Sequence, residues 1–275
     1  MLKPVTLLNL IKLFLLLGGV FYLLICLYMA LWQRSFLFYP TVIPPEQVSN
    51  MAHEAGLDRW TNAAGQPIGF KRLSPVQPSQ GCVLIAYGNG SSAVSSAHYA
   101  DDIQKVAALD VYILEYPGYE DRPGTPSQAS LFQAAREGFD LLPTNGPIYL
   151  VGESLGSGVA CYLAGRYPDR VSGTLLISPY NRVTAVAQSH YPLLPVSLLM
   201  IDRFPSEHFL KDYRGKVGIV VDGKDITVPE RFGRRLYDGY NGPKKLWAFP
   251  DGGHCQITMP QVDFWKEVTT FWKAQ

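Results

Sequence analysis

The apolar positions along this chain form three kinds of run, and each kind predicts a different element. The first is a single stretch of twenty residues without a charged side chain, Leu13–Trp32. The second is a short run of about four to eight apolar residues between turn residues, which is typical of a buried parallel strand. The third is a longer segment whose apolar residues recur at helical spacing, as on one face of a helix.

The uncharged stretch predicts a membrane-spanning helix. About twenty helical residues cover roughly 30 Å, which is the thickness of the hydrocarbon core of a bilayer. A cleaved signal peptide is the alternative, but its apolar core would be only about 7–15 residues long. The small residue near the end of the stretch, Ala30, also has Tyr28 two positions before it, which makes a poor cleavage site. We therefore predict that residues 1–34 form an uncleaved N-terminal anchor.

Positive charges near the span predict its orientation by a margin of about one charge. Lys3, Lys12 and the amino terminus precede the span, whereas Arg34 follows it. The positive-inside rule therefore favours a cytoplasmic N-terminus and an extracytoplasmic domain at residues 35–275. The aromatic segment Phe36–Tyr39 predicts equally well a position at the membrane interface and packing against the domain.

Beyond the anchor, strand-type and helix-type runs alternate. This alternation predicts an α/β fold, with a mostly parallel sheet covered by helices on both faces and reactive groups at the carboxyl ends of the strands. Residues 180–212 interrupt the rhythm, and we interpret them as a lid-like insertion or acyl-binding wall, with a packed surface helix as the alternative. A hairpin is predicted at 57–73, further strands at 82–87, 111–116, from 148, 172–177, 216–221 and 244–249, and helices at 95–109, 127–142, 229–239 and 261–273.

Composition excludes several classes of function. The 275 residues carry a net charge of +1, with 17% charged and 47% hydrophobic residues. The chain therefore lacks the surplus of basic residues that would indicate a nucleic-acid partner. The four cysteines form no CxxC pair and no metal-type spacing with histidine. Three of them, Cys82, Cys161 and Cys255, lie outside the span on or beside predicted core elements, and we expect buried free thiols.

One local pattern carries candidate chemistry. The apolar run from Ile148 turns at Gly152-Glu153-Ser154-Leu155-Gly156 and continues as a helical run. Gly-x-Ser-x-Gly between a strand and a helix predicts a nucleophile elbow, in which a strained turn lifts the serine hydroxyl above the sheet. Glycine is required on either side of Ser154 where a Cβ would collide with neighbouring elements. The alternative is a glycine-rich turn with a solvated serine, because the pattern alone arises by chance in roughly one such chain in ten.

A serine nucleophile needs a base, which in this type of fold follows the serine in the chain. Of the five histidines, only His190, His208 and His254 follow Ser154. His254 lies in a loop directly after a predicted strand, where a base could reach the serine. The other two fall in the 180–212 insertion, and we interpret them as surface or packing residues.

The acid that orients the base should follow the preceding strand. The strand at 216–221 leads into Asp222-Gly223-Lys224-Asp225, ahead of Val228-Pro229. Asp225 is the predicted acid, Asp222 is the second candidate, and a solvated loop aspartate is the alternative. The oxyanion of the reaction needs two donors, which we assign to the backbone N–H of Leu155 and of Asn89 in the loop after the first buried strand.

From about Phe36 onward these features resemble the α/β-hydrolases, and more narrowly their membrane-anchored serine hydrolases with one N-terminal span. The segments Glu115-Tyr116-Pro117-Gly118-Tyr119 and Gly124-Thr125-Pro126-Ser127 are similar to a stretch of that branch. The chain departs from the family in three places: Tyr87 replaces the histidine of the oxyanion loop, Pro117 replaces an arginine, and Gly223 lies one residue closer to Asp225.

The resemblance implies an α/β-hydrolase fold without a cofactor and a serine esterase or thioesterase acting on small-molecule or lipid acyl substrates. Ser154, His254 and Asp225 would form the triad, and we identify no metal site. Two alternatives remain open at this point: an amidase or peptidase using the same triad, and a catalytically silent, membrane-tethered interaction module. The sequence predicts no oligomeric state.

Overall fold

The structure, a computed structural model, describes residues 7–274; Gln275 and residues 1–6 of the predicted anchor, Lys3 among them, lie outside this range. Its centre is an eight-stranded sheet in the order β1-β2-β4-β3-β5-β6-β7-β8. β2 is antiparallel to both of its neighbours, and the other neighbouring pairs are parallel. The strands are β1 (Asp58–Thr61), β2 (Pro67–Arg72), β3 (Cys82–Ala86), β4 (Asp110–Leu114), β5 (Ile148–Glu153), β6 (Val171–Ile177), β7 (Lys216–Asp222) and β8 (Lys244–Phe249).

Helices cover both faces of this sheet, as the alternating pattern predicts. On β5, Tyr149 stacks on Trp272 of the last helix with ring centroids 4.5 Å apart. Gly152, an odd number of positions further along and therefore on the opposite face, lies against Ala160 of the helix that follows β5. The helices are α1 (Leu7–Leu37), α2 (Pro45–Glu54), α3 (His98–Gln104), α4 (Gln128–Asp140), α5 (Leu155–Arg166), α6 (Val183–His190), α7 (Val196–Leu199), α8 (Ser206–Phe209), α9 (Glu230–Gly239) and α10 (Gln261–Lys273).

Most element boundaries follow from local chemistry. The hydroxyl of Ser127 accepts from the backbone N–H of Ser130, whose side chain returns the bond, so a capping box starts α4 where the sequence predicts it. The helix predicted at 95–109 is shorter: a 3₁₀ turn at Val94–Ala97 precedes α3, which ends at Gln104. The side chain of Gln104 donates to the carbonyl oxygens of Arg72 and Leu109, so tertiary bonds replace the last helical turn.

Helix α1 is long and apolar enough to cross a membrane, with a mean hydropathy of 2.5 in its most apolar window. It extends beyond the predicted span at both ends. Its C-terminal half packs along the 180–212 insertion, which contains α6, α7 and α8. Of the aromatic residues at its end, Phe38 is buried edge-on against Phe204 and so packs against the domain, whereas Tyr39 is exposed. A position at the membrane interface stays a prediction. A lid function for the insertion stays a prediction.

Candidate active site

The elbow between β5 and α5 has the strain that its sequence predicts. Ser154 has φ +47° and ψ −113°, a conformation that few residues other than glycine adopt. Its backbone N–H donates to the carbonyl oxygen of Ile177 on β6, which fixes the turn to the sheet. A Cβ on Gly156 would stand 1.9 Å from the carbonyl oxygen of Ala86, so only glycine lets α5 approach β3 this closely.

The three predicted residues of the triad lie within hydrogen-bonding distance of one another. His254 Nε2 is 2.9 Å from Ser154 Oγ, and His254 Nδ1 is 2.6 Å from Asp225 Oδ2. A carboxylate only accepts hydrogen bonds, so Nδ1 carries the proton and Nε2 is left to accept the serine proton. The Asp225 side chain is buried, whereas the His254 side chain is partly exposed to solvent.

Asp225 is itself fixed by backbone donors. Its Oδ1 accepts from the N–H groups of Thr227 and Val228, both at 2.8 Å, which leaves Oδ2 to face the imidazole. The Val-Pro end of this loop therefore determines the direction of the carboxylate. This contact explains why Asp225, rather than Asp222, reaches the histidine.

Asp222, the second candidate for the acid, supports the histidine loop from beneath. It accepts from Ser178 Oγ at 2.8 Å, and the same hydroxyl accepts from the backbone N–H of Cys255 at 2.9 Å. Burial raises the pKa of Asp222 to about 6. Ser178 and Cys255 both have positive φ, +45° and +59°. The sequence analysis did not identify Ser178, and the one local signal was its position directly after β6.

The two predicted oxyanion donors flank the elbow. In the described part of the chain, neither the backbone N–H of Leu155 nor that of Asn89 has an acceptor. The Asn89 side chain makes three hydrogen bonds: Oδ1 accepts from Tyr39 N at 2.9 Å and from the Tyr119 hydroxyl at 2.7 Å, and Nδ2 donates to Leu37 O at 2.7 Å. These bonds hold the loop rigid and tie it to the end of α1.

Tyr87, which replaces the usual histidine, stabilises the base of this loop in another way. Its hydroxyl donates to the buried carboxyl group of Glu115, and its carbonyl oxygen accepts from the Tyr116 hydroxyl at 2.9 Å. Burial, and next the proximity of Glu120, raise the pKa of Glu115 well above its ordinary value. Glu115 also accepts from the backbone N–H of Ala93 at 2.9 Å. The substituted loop is therefore anchored to the Glu-Tyr segment that carries the family resemblance.

The remaining candidate chemistry is inert. All four cysteines are free. Burial raises the pKa of both Cys82 and Cys161 to about 12, which keeps these thiols protonated at neutral pH. His190 Nε2 donates to the carbonyl oxygen of Thr227 and His208 is exposed, and neither side chain hydrogen-bonds to Ser154. Among residues 7–274 no group of three or more acidic, histidine or cysteine side chains could hold a metal ion.

Comparison with known proteins agrees with this architecture. A model of the alpha/beta hydrolase fold matches residues 82–204, from β3 through the elbow into the insertion. A crystal structure of a monoacylglycerol lipase from Paleococcus ferrophilus superposes with a TM-score of 0.57 at 18% identity, covering 78% of this chain and 98% of that one. The chain therefore has the alpha/beta hydrolase fold. The predicted fold class is thereby confirmed.

Two sequence relatives show which kinds of protein this chain resembles. An uncharacterized protein of Mycobacterium tuberculosis, Rv2307c, is 29% identical over 82% of both chains. The lysophosphatidylserine lipase ABHD12 of Bos taurus is 27% identical over 65% of this chain and 50% of its own length. The match with the lipase therefore covers about half of that protein. Together the comparisons support a hydrolase that is similar to lipases.

Proposed function

We propose that this α/β-hydrolase is a membrane-anchored serine hydrolase that cleaves ester or thioester bonds of acyl lipids. The observation that carries the proposal is the continuous hydrogen-bond chain from Ser154 through His254 to Asp225. It begins at a strained elbow and ends at a carboxylate held by two backbone donors. Similarity to lipases supports a lipid acyl substrate, and α1 supports a membrane location.

The reaction proceeds through a covalent acyl-enzyme. Ser154 Oγ attacks the acyl carbonyl carbon while its proton passes to His254 Nε2. The oxyanion accepts hydrogen bonds from the Leu155 and Asn89 N–H groups, and the positive end of α5 adds to this stabilisation. The carbon–oxygen or carbon–sulfur bond then breaks, and His254 protonates the leaving group. Water, deprotonated by the same imidazole, releases the acid and restores the serine.

Asp225 acts through His254. Its carboxylate holds Nδ1–H in place, so that Nε2 stays available as the proton acceptor, and it stabilises the imidazolium that forms. No external cofactor is needed for these steps. We further propose that α1 anchors the enzyme with its N-terminus in the cytoplasm and the hydrolase domain outside, as the charges around the span predict.

The test is active-site labelling of the full-length protein in membranes with a fluorophosphonate probe. We expect the wild type to be labelled, and Ser154→Ala and His254→Ala to lose the label. His208→Ala is the matched control, because His208 lies on the surface of the insertion and should leave labelling unchanged. Ester hydrolysis should fall by at least about 10³-fold in Ser154→Ala. Undiminished ester cleavage by Ser154→Ala, in protein with a wild-type melting temperature, would refute the mechanism.

A further inference from the structure

The 180–212 insertion contains a segment built for an apolar environment. From Val183 to Ile201 the chain has no Asp, Glu, Lys or Arg. Large apolar side chains on this segment are exposed, including Leu193 at 84% and Leu198 at 82%. A contiguous exposed apolar patch on a protein marks a site of contact with a partner or a membrane.

This segment lies against α1 over a long distance. The Tyr22 hydroxyl donates to Leu193 O at 2.8 Å, and Arg34 Nε lies 2.9 Å from Asp202 Oδ2. Twelve helical residues separate these two contacts on α1, which is about 18 Å. Tyr22 stands in the middle of the uncharged stretch Leu13–Trp32. If that stretch fills the hydrocarbon core, the tip of the insertion at Leu193 lies inside the bilayer leaflet.

Side-chain amides satisfy several backbone groups of the segment, as a leaflet requires. Non-helical backbone within a bilayer must find partners in the protein, because no water is present. Gln188 Nε2 lies within hydrogen-bonding distance of the carbonyl oxygens of Tyr191, Pro192 and Leu194. Gln33 of α1 donates to Leu199 O at 3.0 Å and accepts from the N–H of Ile201 at 2.7 Å. Side-chain amides thus replace water in the turn between α6 and α7 and at the C-terminal end of α7.

Between α1 and this segment is a cleft whose empty space, open mouth included, is about 510 Å³. Its walls are mostly apolar. The polar groups on them belong to Gln33, whose amide is already bonded to backbone groups, and to the hydroxyl of Tyr191. An occupant therefore meets mostly apolar side chains, so the cleft suits an alkyl chain rather than a polar headgroup.

One wall of the cleft leads to the candidate active site. Leu37 lines the cleft, and its carbonyl oxygen accepts from Asn89 Nδ2 at 2.7 Å. Asn89 carries one of the proposed oxyanion donors. An alkyl chain in the cleft would therefore be one residue away from the loop that binds the reacting carbonyl.

We propose that this cleft binds the acyl chain of a membrane lipid, which enters laterally from the leaflet in which the 183–201 segment is embedded. Hydrolysis of that lipid rests on the proposed function, whereas binding of the chain does not. The anchor helix then forms part of the substrate site in addition to holding the enzyme at the membrane.

The first test compares chain lengths with the full-length protein in phosphatidylcholine nanodiscs. Ala187 lines the cleft on α6, and Ala187→Trp should fill it. Each buried methylene contributes about fourfold to binding, so loss of two or more should lower kcat/KM for a palmitoyl ester by about tenfold or more. Cleavage of a butyryl ester should stay close to wild type. Ser189→Trp is the matched control, since Ser189 is exposed on the same helix and about 200° away around its axis.

An unchanged ratio of palmitoyl to butyryl cleavage in Ala187→Trp would overturn the proposal. Failure of the proposed function has a different signature, namely butyryl cleavage that survives Ser154→Ala. A second measurement covers the case in which Ala187→Trp loses both activities. It uses the Ser154→Ala protein and a phosphatidylcholine whose acyl chain carries a diazirine, so that binding is read without hydrolysis.

After irradiation, the label is mapped by mass spectrometry. We expect cross-links at the buried cleft residues Val196 and Met200, and their loss when Ala187→Trp is added. Cross-links at exposed Leu198 should persist in every variant, which shows that the segment is still embedded. Labelling of Leu198 without Val196 or Met200 would show that lipid contacts the surface only, and would overturn the acyl-chain site.

Discussion

Asn89 Nδ2 donates a 2.7 Å hydrogen bond to the carbonyl oxygen of Leu37, the last residue of α1. This bond joins the membrane-spanning candidate helix to the loop that carries a proposed oxyanion donor. The same side chain accepts from Tyr39 N and from the Tyr119 hydroxyl. The position of the loop that carries Asn89 is therefore fixed by Leu37 and Tyr39 on one side and by Tyr119 on the other.

Asn89→Ala should lower kcat for ester cleavage by about 10- to 100-fold, equivalent to roughly 1.4–2.7 kcal/mol in the barrier. The backbone donor remains, but it loses the side-chain bonds that aim it. Tyr119→Phe removes one of those bonds and should cause a smaller loss. The measurement is kcat and KM on a short ester for the three proteins. An effect confined to KM would contradict this positioning role.

The two aspartates after β7 allow a matched comparison. Asp225→Asn keeps an oxygen for the N–H groups of Thr227 and Val228 but turns an NH₂ group toward His254 Nδ1. The imidazole would then hold its proton on Nε2, where it cannot accept from Ser154. We expect kcat to fall by about 10³- to 10⁴-fold with little change in stability.

Asp222→Asn is the control for this substitution, because Asp222 contacts Ser178 rather than His254. It should retain activity within about tenfold, a change of about 1.4 kcal/mol in the barrier. Equal losses in the two variants, measured as kcat on the same ester, would contradict the assignment of Asp225 as the acid.

Much of this site could be predicted from the sequence because its residues follow strands directly. Ser154, Asp225 and His254 each lie just past a strand whose apolar pattern is plain, and parallel strands bring their carboxyl ends to one edge. Ser178, the Leu37–Asn89 bond and the contact of Tyr22 with Leu193 could not be predicted. They depend on long-range packing, and Tyr22 and Leu193 are 171 positions apart.

Helix α2 and the early end of α3 also could not be predicted from the sequence pattern. Pro45 at the first position of α2 favours a helix start, but the pattern that follows is short, and its buried residues are Val48 and Ala52 alone. The segment after Gln104 has helical composition, yet Gln104 bonds to β2 and to Leu109 instead. Tertiary contacts outweigh the local preference there.

Glycine positions give a stability prediction with an internal control. In Gly156→Ala the new methyl group would meet the backbone of Ala86 at 1.9 Å, and neither α5 nor β3 can move without distorting the elbow. We expect the variant to fold poorly or to lose activity. Gly239→Ala, at the end of α9 where nothing lies within 4 Å, should instead be neutral or stabilise by up to about 1 kcal/mol. Thermal unfolding in detergent measures both, and a stable, active Gly156→Ala protein would contradict the close packing of the elbow.

Asp222 should make stability depend on pH. Burial raises the pKa of Asp222 from 3.8 to about 6, so the folded protein holds a proton there that the unfolded chain has lost between those values. The free energy of unfolding should therefore fall as pH rises through this window and stay lower above it. Asp222→Asn removes that fall and should raise the free energy of unfolding at pH 8, relative to wild type, by on the order of 1–3 kcal/mol.

The measurement is the melting temperature at pH 4, 5, 6 and 8 for wild type and Asp222→Asn. Asp251→Asn is the control, because the Asp251 carboxyl is 82% exposed and pairs with Lys224 at the surface. The difference between Asp222→Asn and wild type should grow with pH and level off above about pH 7, one unit beyond the raised pKa. A difference that is constant from pH 4 to 8 would mean that Asp222 does not hold its proton in the folded protein. The support of the His254 loop would then rest on a charged carboxylate beneath Ser178.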